Sequence, residues 1–349
     1  MVDTNTELVE EADSPSADGM PLEPALPPSL LSNSRNRFVN LFYEPKCIEI
    51  NKKTNLYLHV LRIDGGEFAV ASLFKELRNI SLTYVLSRRK LQDVLADPSR
   101  MVEFVSDVQA KFKSPDPKAG EGGELLLYSF LESHLGAPKI LSKMELKTSY
   151  EHYVHGSDGV HLLEVTHNEY QLIFGESKMY ANGDAASRGS VRRAIKAAFK
   201  SMSEIRRKNF DSDSWLLESE LLKESVDAVD VDLLERILLP SAASPVPLRK
   251  SNAFGVFIGY ELDVTKYPFE EFTNSQIEDY LKGLAYEEIE REVETVRNEI
   301  VCRGLGGYQF HMYALPFLKH NVDGKIVGIE DIRLDLASAL SNKPVCDQG

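Results

Sequence analysis

Cysteine is scarce in this chain of 349 residues, and its three cysteines, Cys47, Cys302 and Cys346, lie far apart. An odd number of distant cysteines argues against a disulfide framework and favours a reducing cytoplasm. No apolar run of about 18 residues is present, so we expect neither a transmembrane helix nor a membrane partner. The first residues also lack the basic and apolar regions of a secretory signal.

Basic residues are absent from positions 1–34, which carry seven acidic residues and much proline and serine. This composition buries too little apolar surface to offset the entropy of ordering, and it predicts a disordered acidic tail. The whole chain has 40 basic and 54 acidic residues, a net charge of −14, which argues against a general nucleic-acid binder. The charge is distributed unevenly along the chain. Residues 186–208 hold eight basic residues and one acid, and residues 261–295 hold eleven acids and three basic residues.

The hydrophobic pattern after the tail predicts an α/β (α+β) protein with a mixed sheet flanked by helices. We divide the chain into the tail 1–34, an N-terminal strand and helical region 35–115, and a domain 116–349 with acidic C-terminal helices. Predicted strands lie near 45–50, 54–62, 140–148, 158–167, 170–178, 254–262 and 308–317. Predicted helices lie within 69–112 and at 123–135, 186–208, 216–238, 274–282 and 286–300.

Charged residues are predicted to converge at one end of a hairpin in the middle of the chain. A turn centred near residues 167–169 places Asp158 level with Glu176 to Lys178, and Glu124 opens an apolar helix just upstream. Two carboxylates suit Mg²⁺, which activates water and polarises a phosphoryl oxygen, and a neighbouring lysine can stabilise the developing charge. This arrangement is typical of restriction-endonuclease-like nucleases. The alternative is that Glu176 and Lys178 form only a surface ion pair.

The predicted helix 186–208 carries a stripe of cations at i, i+4 spacing beside its apolar stripe. A solvated helix face usually mixes both signs of charge, so the excess of cations favours contacts to phosphate groups, although an ordinary solvated face is the alternative. The residues predicted to contact DNA are Arg188, Arg192, Arg193, Lys196 and Lys200.

The segments GELLLYSFLESHLGAPKILSKMELKTSYEHYVHGSDGVHLLE and LIFGESKMY resemble the HamA family, the nuclease component of the Hachiman antiphage defence system. Anti-bacteriophage protein A belongs to the same domain family. The resemblance covers residues 120–208 well, residues 254–261 and the last strand more loosely, and residues 1–34 not at all.

The resemblance implies a PD-(D/E)xK-type nuclease that degrades DNA with little sequence specificity. It also implies a superfamily 2 helicase partner, HamB, that restrains the nuclease until damaged or invading DNA is sensed. The catalytic residues that it implies are Glu124, Asp158, Glu176 and Lys178, with Asp158, Glu176 and Glu124 as ligands of Mg²⁺ or, in its place, Mn²⁺.

Two other classes of function stay open. The chain could be a catalytically idle DNA-binding or docking subunit of a helicase complex, or a structural adaptor that works through the acidic helices 274–300. The presence of all four expected site residues favours the nuclease.

Overall fold

The computed structural model describes residues 32–113, 115–116, 120–142, 144, 156–183, 189–209, 228–238 and 248–345. The α-helices in these ranges are α1 (Ser32–Val39), α2 (Val70–Val85), α3 (Arg88–Ala96), α4 (Met101–Lys111), α5 (Glu121–Phe130), α6 (Ser190–Asn209), α7 (Ala228–Leu238), α8 (Asn274–Glu290), α9 (Val293–Cys302) and α10 (Ile329–Ser341). The strands are β1 (Lys46–Asn51), β2 (Thr54–Leu58), β3 (Ile63–Asp64), β4 (Glu67–Phe68), β5 (Lys139–Ser142), β6 (Gly159–Thr166), β7 (Glu169–Tyr180), β8 (Arg249–Asp263), β9 (Gln309–Val322) and β10 (Lys325–Val327). Across these ranges, no helix combines the length and the apolar character needed to span a membrane.

The core is a mixed sheet with the strand order β1-β2-β9-β8-β7-β6-β5, to which β10 adds beside β9. The four central strands β2, β9, β8 and β7 run parallel, and the outer pairs are antiparallel. Parallel neighbours need crossover connections, which α6 and α7 supply between β7 and β8, and α8 and α9 between β8 and β9. The predicted mixed sheet flanked by helices is confirmed, and β2 joins the region 35–115 to the sheet of the region 116–349.

Helices pack on both faces of the sheet. Phe130 at the end of α5 stacks on Tyr313 of β9 with a centroid distance of 5.1 Å, and Phe199 of α6 packs on Phe310 of β9 at 5.3 Å. Successive strand residues point to opposite faces, so odd-numbered residues of β7 and β9 face α5 and even-numbered residues face α6. Ser177 therefore faces α5, and a Cβ at Gly123 of that helix would lie 3.3 Å from its Oγ.

The bounds of several elements differ from the sequence prediction. Helix α1 begins at Ser32, inside the predicted tail, because its Phe38 is buried against Phe130 at a centroid distance of 5.0 Å. Helix α5 continues through a π-helical turn to Gly136, whose φ of 76° ends it where the sequence predicted. Residues 1–31, 145–148 and 216–227, which belong to the predicted tail, strand and acidic helix, lie outside the described residues.

A buried carboxylate near the end of β8 connects the segment after β7, the start of α6 and the start of α10. Glu261 Oε2 accepts a hydrogen bond from the backbone of Asn182 at 2.9 Å, and Oε1 accepts one from Ile329 at the start of α10 at 3.1 Å. The Glu261 backbone in turn donates to Ser190 Oγ of α6 at 3.1 Å. A carboxylate is favourable here because the first N–H groups of a helix need acceptors and carry partial positive charge.

We expect Glu261→Ala to lower the free energy of unfolding by about 3 kcal/mol, because two buried donors lose a charged acceptor. Glu261→Gln keeps one acceptor oxygen and should lose less than half of that. Urea unfolding of the two variants beside the wild type measures both values. Equal midpoints for Glu261→Ala and the wild type would contradict the assigned role.

Candidate active site

The hairpin β6–β7 brings the predicted site residues together. Its register pairs Gly159 with Gly175 and continues with a constant sum of residue numbers to Glu164, and Asn168 in the turn has the positive φ of 65° that a tight turn favours. The backbone N–H of Asp158 donates to Gly175 O at 2.9 Å. Asp158 thus lies level with Glu176, at one end of the predicted segment Glu176 to Lys178.

Asp158 is held by the residue between the glutamate and the lysine of the motif. Its Oδ2 accepts hydrogen bonds from both the backbone N and the Oγ of Ser177, each at 2.8 Å. Two donors on one oxygen set the orientation of the carboxylate. The sequence motif leaves the middle residue unspecified, so only the alternation of strand faces could have indicated a role for Ser177.

Glu176 and Lys178 form an ion pair on the α6 face of the sheet, where Lys178 Nζ contacts Glu176 Oε1. Burial, with the nearby charge of Asp158, raises the pKa of Glu176 to about 7, although Lys178 opposes the rise. Burial by itself would lower the pKa of Lys178, but Glu176 and Asp158 outweigh it and raise that pKa. The lysine therefore keeps its positive charge, and its side chain is still 26% exposed.

Glu124 lies on the α5 face of the sheet, opposite the face that carries Glu176 and Lys178. It is buried in the first turn of α5, and Tyr84 Oη of α2 donates to its Oε2 at 3.3 Å. Glu124, Tyr84 and Asp158 line a cavity of about 10 Å³. Glu124 and Asp158 thus lie on the α5 side of the sheet, and the pair of Glu176 and Lys178 lies on the α6 side.

The carboxylates fit Mg²⁺ as a pair rather than as a trio. Within the described ranges, no group of three or more His, Cys, Asp or Glu side chains is placed to hold a metal ion, so the three predicted ligands do not form a ready-made cage. Mg²⁺ needs only one or two carboxylates and keeps several waters. Asp158 and Glu176 supply the hard oxygen donors that Mg²⁺ prefers.

The model of the HamA family matches residues 36–323 of the chain. The chain belongs to the HamA family. No curated protein and no solved structure is similar enough to count as a match. Membership implies a role in antiphage defence of the Hachiman type.

The cations of α6 in this HamA-family protein differ in their surroundings: the two arginines contact other side chains, and the two lysines are exposed. Arg192 Nε binds both carboxylate oxygens of Glu292, just before α9, at 2.9 and 2.7 Å. Lys196 and Lys200 are exposed, and the guanidinium of Arg193 lies over the ring of Tyr180 at 5.2 Å. Contacts from this helix to phosphate groups stay a prediction, and the exposed Lys196 and Lys200 are the residues best placed to make them. Arg188 lies outside the described residues.

The acidic helices pair many of their charges locally. Arg291 contacts Glu287 and Glu288, and Arg297 contacts Glu294. Such exposed pairs within a helix contribute little to stability and reduce the local negative charge. A docking role for this surface stays a prediction.

Proposed function

We propose that this HamA-family protein is a Mg²⁺-dependent nuclease that hydrolyses DNA phosphodiester bonds with little sequence preference. It acts as the effector of a bacterial antiviral defence system in the cytoplasm, and a HamB-like superfamily 2 helicase restrains it. The observation that carries the proposal is the convergence of Asp158, Glu176 and Lys178 where β6 meets β7. The PD-(D/E)xK assignment follows from the same residues.

In this proposal Asp158 and Glu176 hold the metal ion, which supplies Lewis-acid chemistry to the phosphate and to water. Ser177 fixes the orientation of Asp158 through its two hydrogen bonds. Lys178 keeps a charged ammonium beside Glu176 and donates to negative charge that develops on the phosphate oxygens. Phosphate contacts from Lys196 and Lys200 position the DNA without reading its sequence.

A catalytically idle DNA-binding or docking subunit of a helicase complex is the second candidate. The exposed Lys196 and Lys200 of α6 favour it, because phosphate contacts hold DNA without any hydrolysis. The purified full-length protein, incubated with plasmid DNA in Mg²⁺ or in EDTA, separates the two. Degradation that requires Mg²⁺ and stops when the helicase is added supports the nuclease. A mobility shift without cutting in any metal supports the idle subunit and contradicts our proposal.

The exposed lysines of α6 allow a test of how DNA is held. Each lost phosphate contact lowers the slope of log affinity against log salt by about 0.9 for duplex DNA. We therefore expect Lys196→Ala with Lys200→Ala to flatten that slope by about 1.8 and to weaken binding equally for unrelated sequences. Affinities measured from low to moderate salt give the slope.

Arg192→Ala is the matched control on the same helix, because Glu292 already engages that side chain. It should leave the slope close to that of the wild type. A slope unchanged in the double lysine variant, or a larger change in Arg192→Ala, would show that this side of α6 does not contact the DNA backbone.

A further inference from the structure

Tyr84 lies near the end of α2 and brings its phenol to the candidate site from a part of the chain with no motif residue. Its Oη donates to Glu124 Oε2 at 3.3 Å, across 40 positions of sequence, and the side chain is almost fully buried. It lines the same small cavity as Glu124 and Asp158. The space is about that of a single water, so the three side chains are held close together.

The backbone of Tyr84 is anchored by the strand next to the site. Lys139 Nζ of β5 donates to three carbonyl groups at the end of α2, including that of Tyr84 at 2.9 Å. Ser142 Oγ of the same strand also donates to Tyr84 O, at 3.0 Å. Ser142 pairs with Gly159, the residue after Asp158. One short strand thus positions both Tyr84 and the start of β6.

The phenol stays a hydrogen-bond donor. Its Oη donates and Glu124 Oε2 accepts. A hydrogen bond from a protonated hydroxyl to a buried carboxylate is charge-assisted, so it orients the carboxylate more strongly than a neutral pair would.

We propose that Tyr84 is a positioning residue of the nuclease site, whose phenol holds the Glu124 carboxylate beside Asp158. Helix α2 is then part of the active unit, although the sequence motif begins only at Glu124. The inference rests on the proposed nuclease function. Tyr84 acts through Glu124, which lines the same cavity as the proposed metal ligand Asp158. Both residues are then outer partners that set the orientation of a metal ligand.

The test is Tyr84→Phe in the full-length chain, which keeps the ring and removes the donor. Mn²⁺ binding without DNA is measured by titration calorimetry, beside the rate of Mg²⁺-dependent cutting. We expect the Mn²⁺ dissociation constant to rise about 10-fold, the lower end for loss of such a partner, with KM for DNA unchanged. The control is Tyr313→Phe on β9, a buried tyrosine whose Oη has no hydrogen-bond partner among the described residues. It should bind Mn²⁺ like the wild type.

Glu124→Gln, alone and combined with Tyr84→Phe, shows whether the tyrosine works through the glutamate. In the Glu124→Gln background, Tyr84→Phe should add less than a 2-fold effect, because coupled residues are not additive. Wild-type Mn²⁺ binding in Tyr84→Phe, a full 10-fold effect in the Glu124→Gln background, or a melting temperature far below that of Tyr313→Phe overturns the positioning role. A wild type that neither binds Mn²⁺ nor cuts DNA overturns the nuclease function as well.

Discussion

Replacing Lys178 with alanine is expected to lower the rate of Mg²⁺-dependent DNA cutting by about 10³-fold, the loss that follows removal of a preorganised electrostatic group. Glu176→Ala should lower the rate of cutting to a similar extent, because it removes a proposed metal ligand. Both variants should stay folded. Burial destabilises the charged form of Glu176 and raises its pKa to about 7. The charged side chain therefore adds little to the stability of the fold, and Glu176→Ala should lose little. Cutting rates and melting curves are measured together.

Glu169→Ala is the matched control, since Glu169 lies at the other end of the same strand. It pairs with Arg249, whose side chain is 81% exposed. An exposed pair contributes little, so both cutting and melting should remain those of the wild type. Full activity in either Lys178→Ala or Glu176→Ala would remove these residues from the active site.

Acid is expected to destabilise the protein sharply because several histidines are buried in neutral form. Burial lowers the pKa of His59 to about 3, with a smaller contribution from His134, and burial lowers the pKa of His161 and His311 to about 4. The unfolded chain binds protons at these sites below its ordinary pKa of 6.5 while the folded chain does not. Stability is therefore present above pH 6.5 and lost as pH falls toward 4.

From pH 6.5 to pH 5, His59, His161 and His311 together should lower the free energy of unfolding by about 5 kcal/mol. Glu176 acts in the opposite direction, because its pKa of about 7 lies above the unfolded value and its protonation relieves the folded state. Its protonation should restore about 2 kcal/mol over the same range, so the net loss from these four groups is about 3 kcal/mol. Urea unfolding at pH 7.5, 6.5 and 5 measures it.

His59→Phe isolates the largest of these shifts. The His59 ring lies among aromatic side chains, 4.5 Å from the Phe130 centroid, and neither ring nitrogen has a hydrogen-bond partner among the described residues. The stability difference between His59→Phe and the wild type should grow by about 2 kcal/mol from pH 6.5 to pH 5. The exposed residue His167, replaced in the same way, should give parallel curves. Parallel curves for His59→Phe would contradict the assignment.

Local patterns predicted the hairpin well and its neighbours less well. Alternating apolar residues on either side of a short polar turn indicated β6 and β7, and the turn set their register. Strand β8 was predicted at 254–262 but begins at Arg249, because its polar first residues gain their pairing from β7 rather than from an apolar run of their own. A local sequence pattern does not show which distant strand a segment will pair with.

The sequence by itself determined that the chain has a mixed α/β core, which residues form the hairpin, and that Asp158 lies level with Glu176. These follow from side-chain periodicity and turn chemistry, which act between near neighbours. Only the tertiary structure decided that Glu124 and Glu176 lie on opposite faces of the sheet, that Arg192 binds Glu292, and that Tyr84 contacts Glu124. Such contacts depend on how helices pack on the two faces of the sheet, and packing joins residues 40 to 100 positions apart that no local spacing relates.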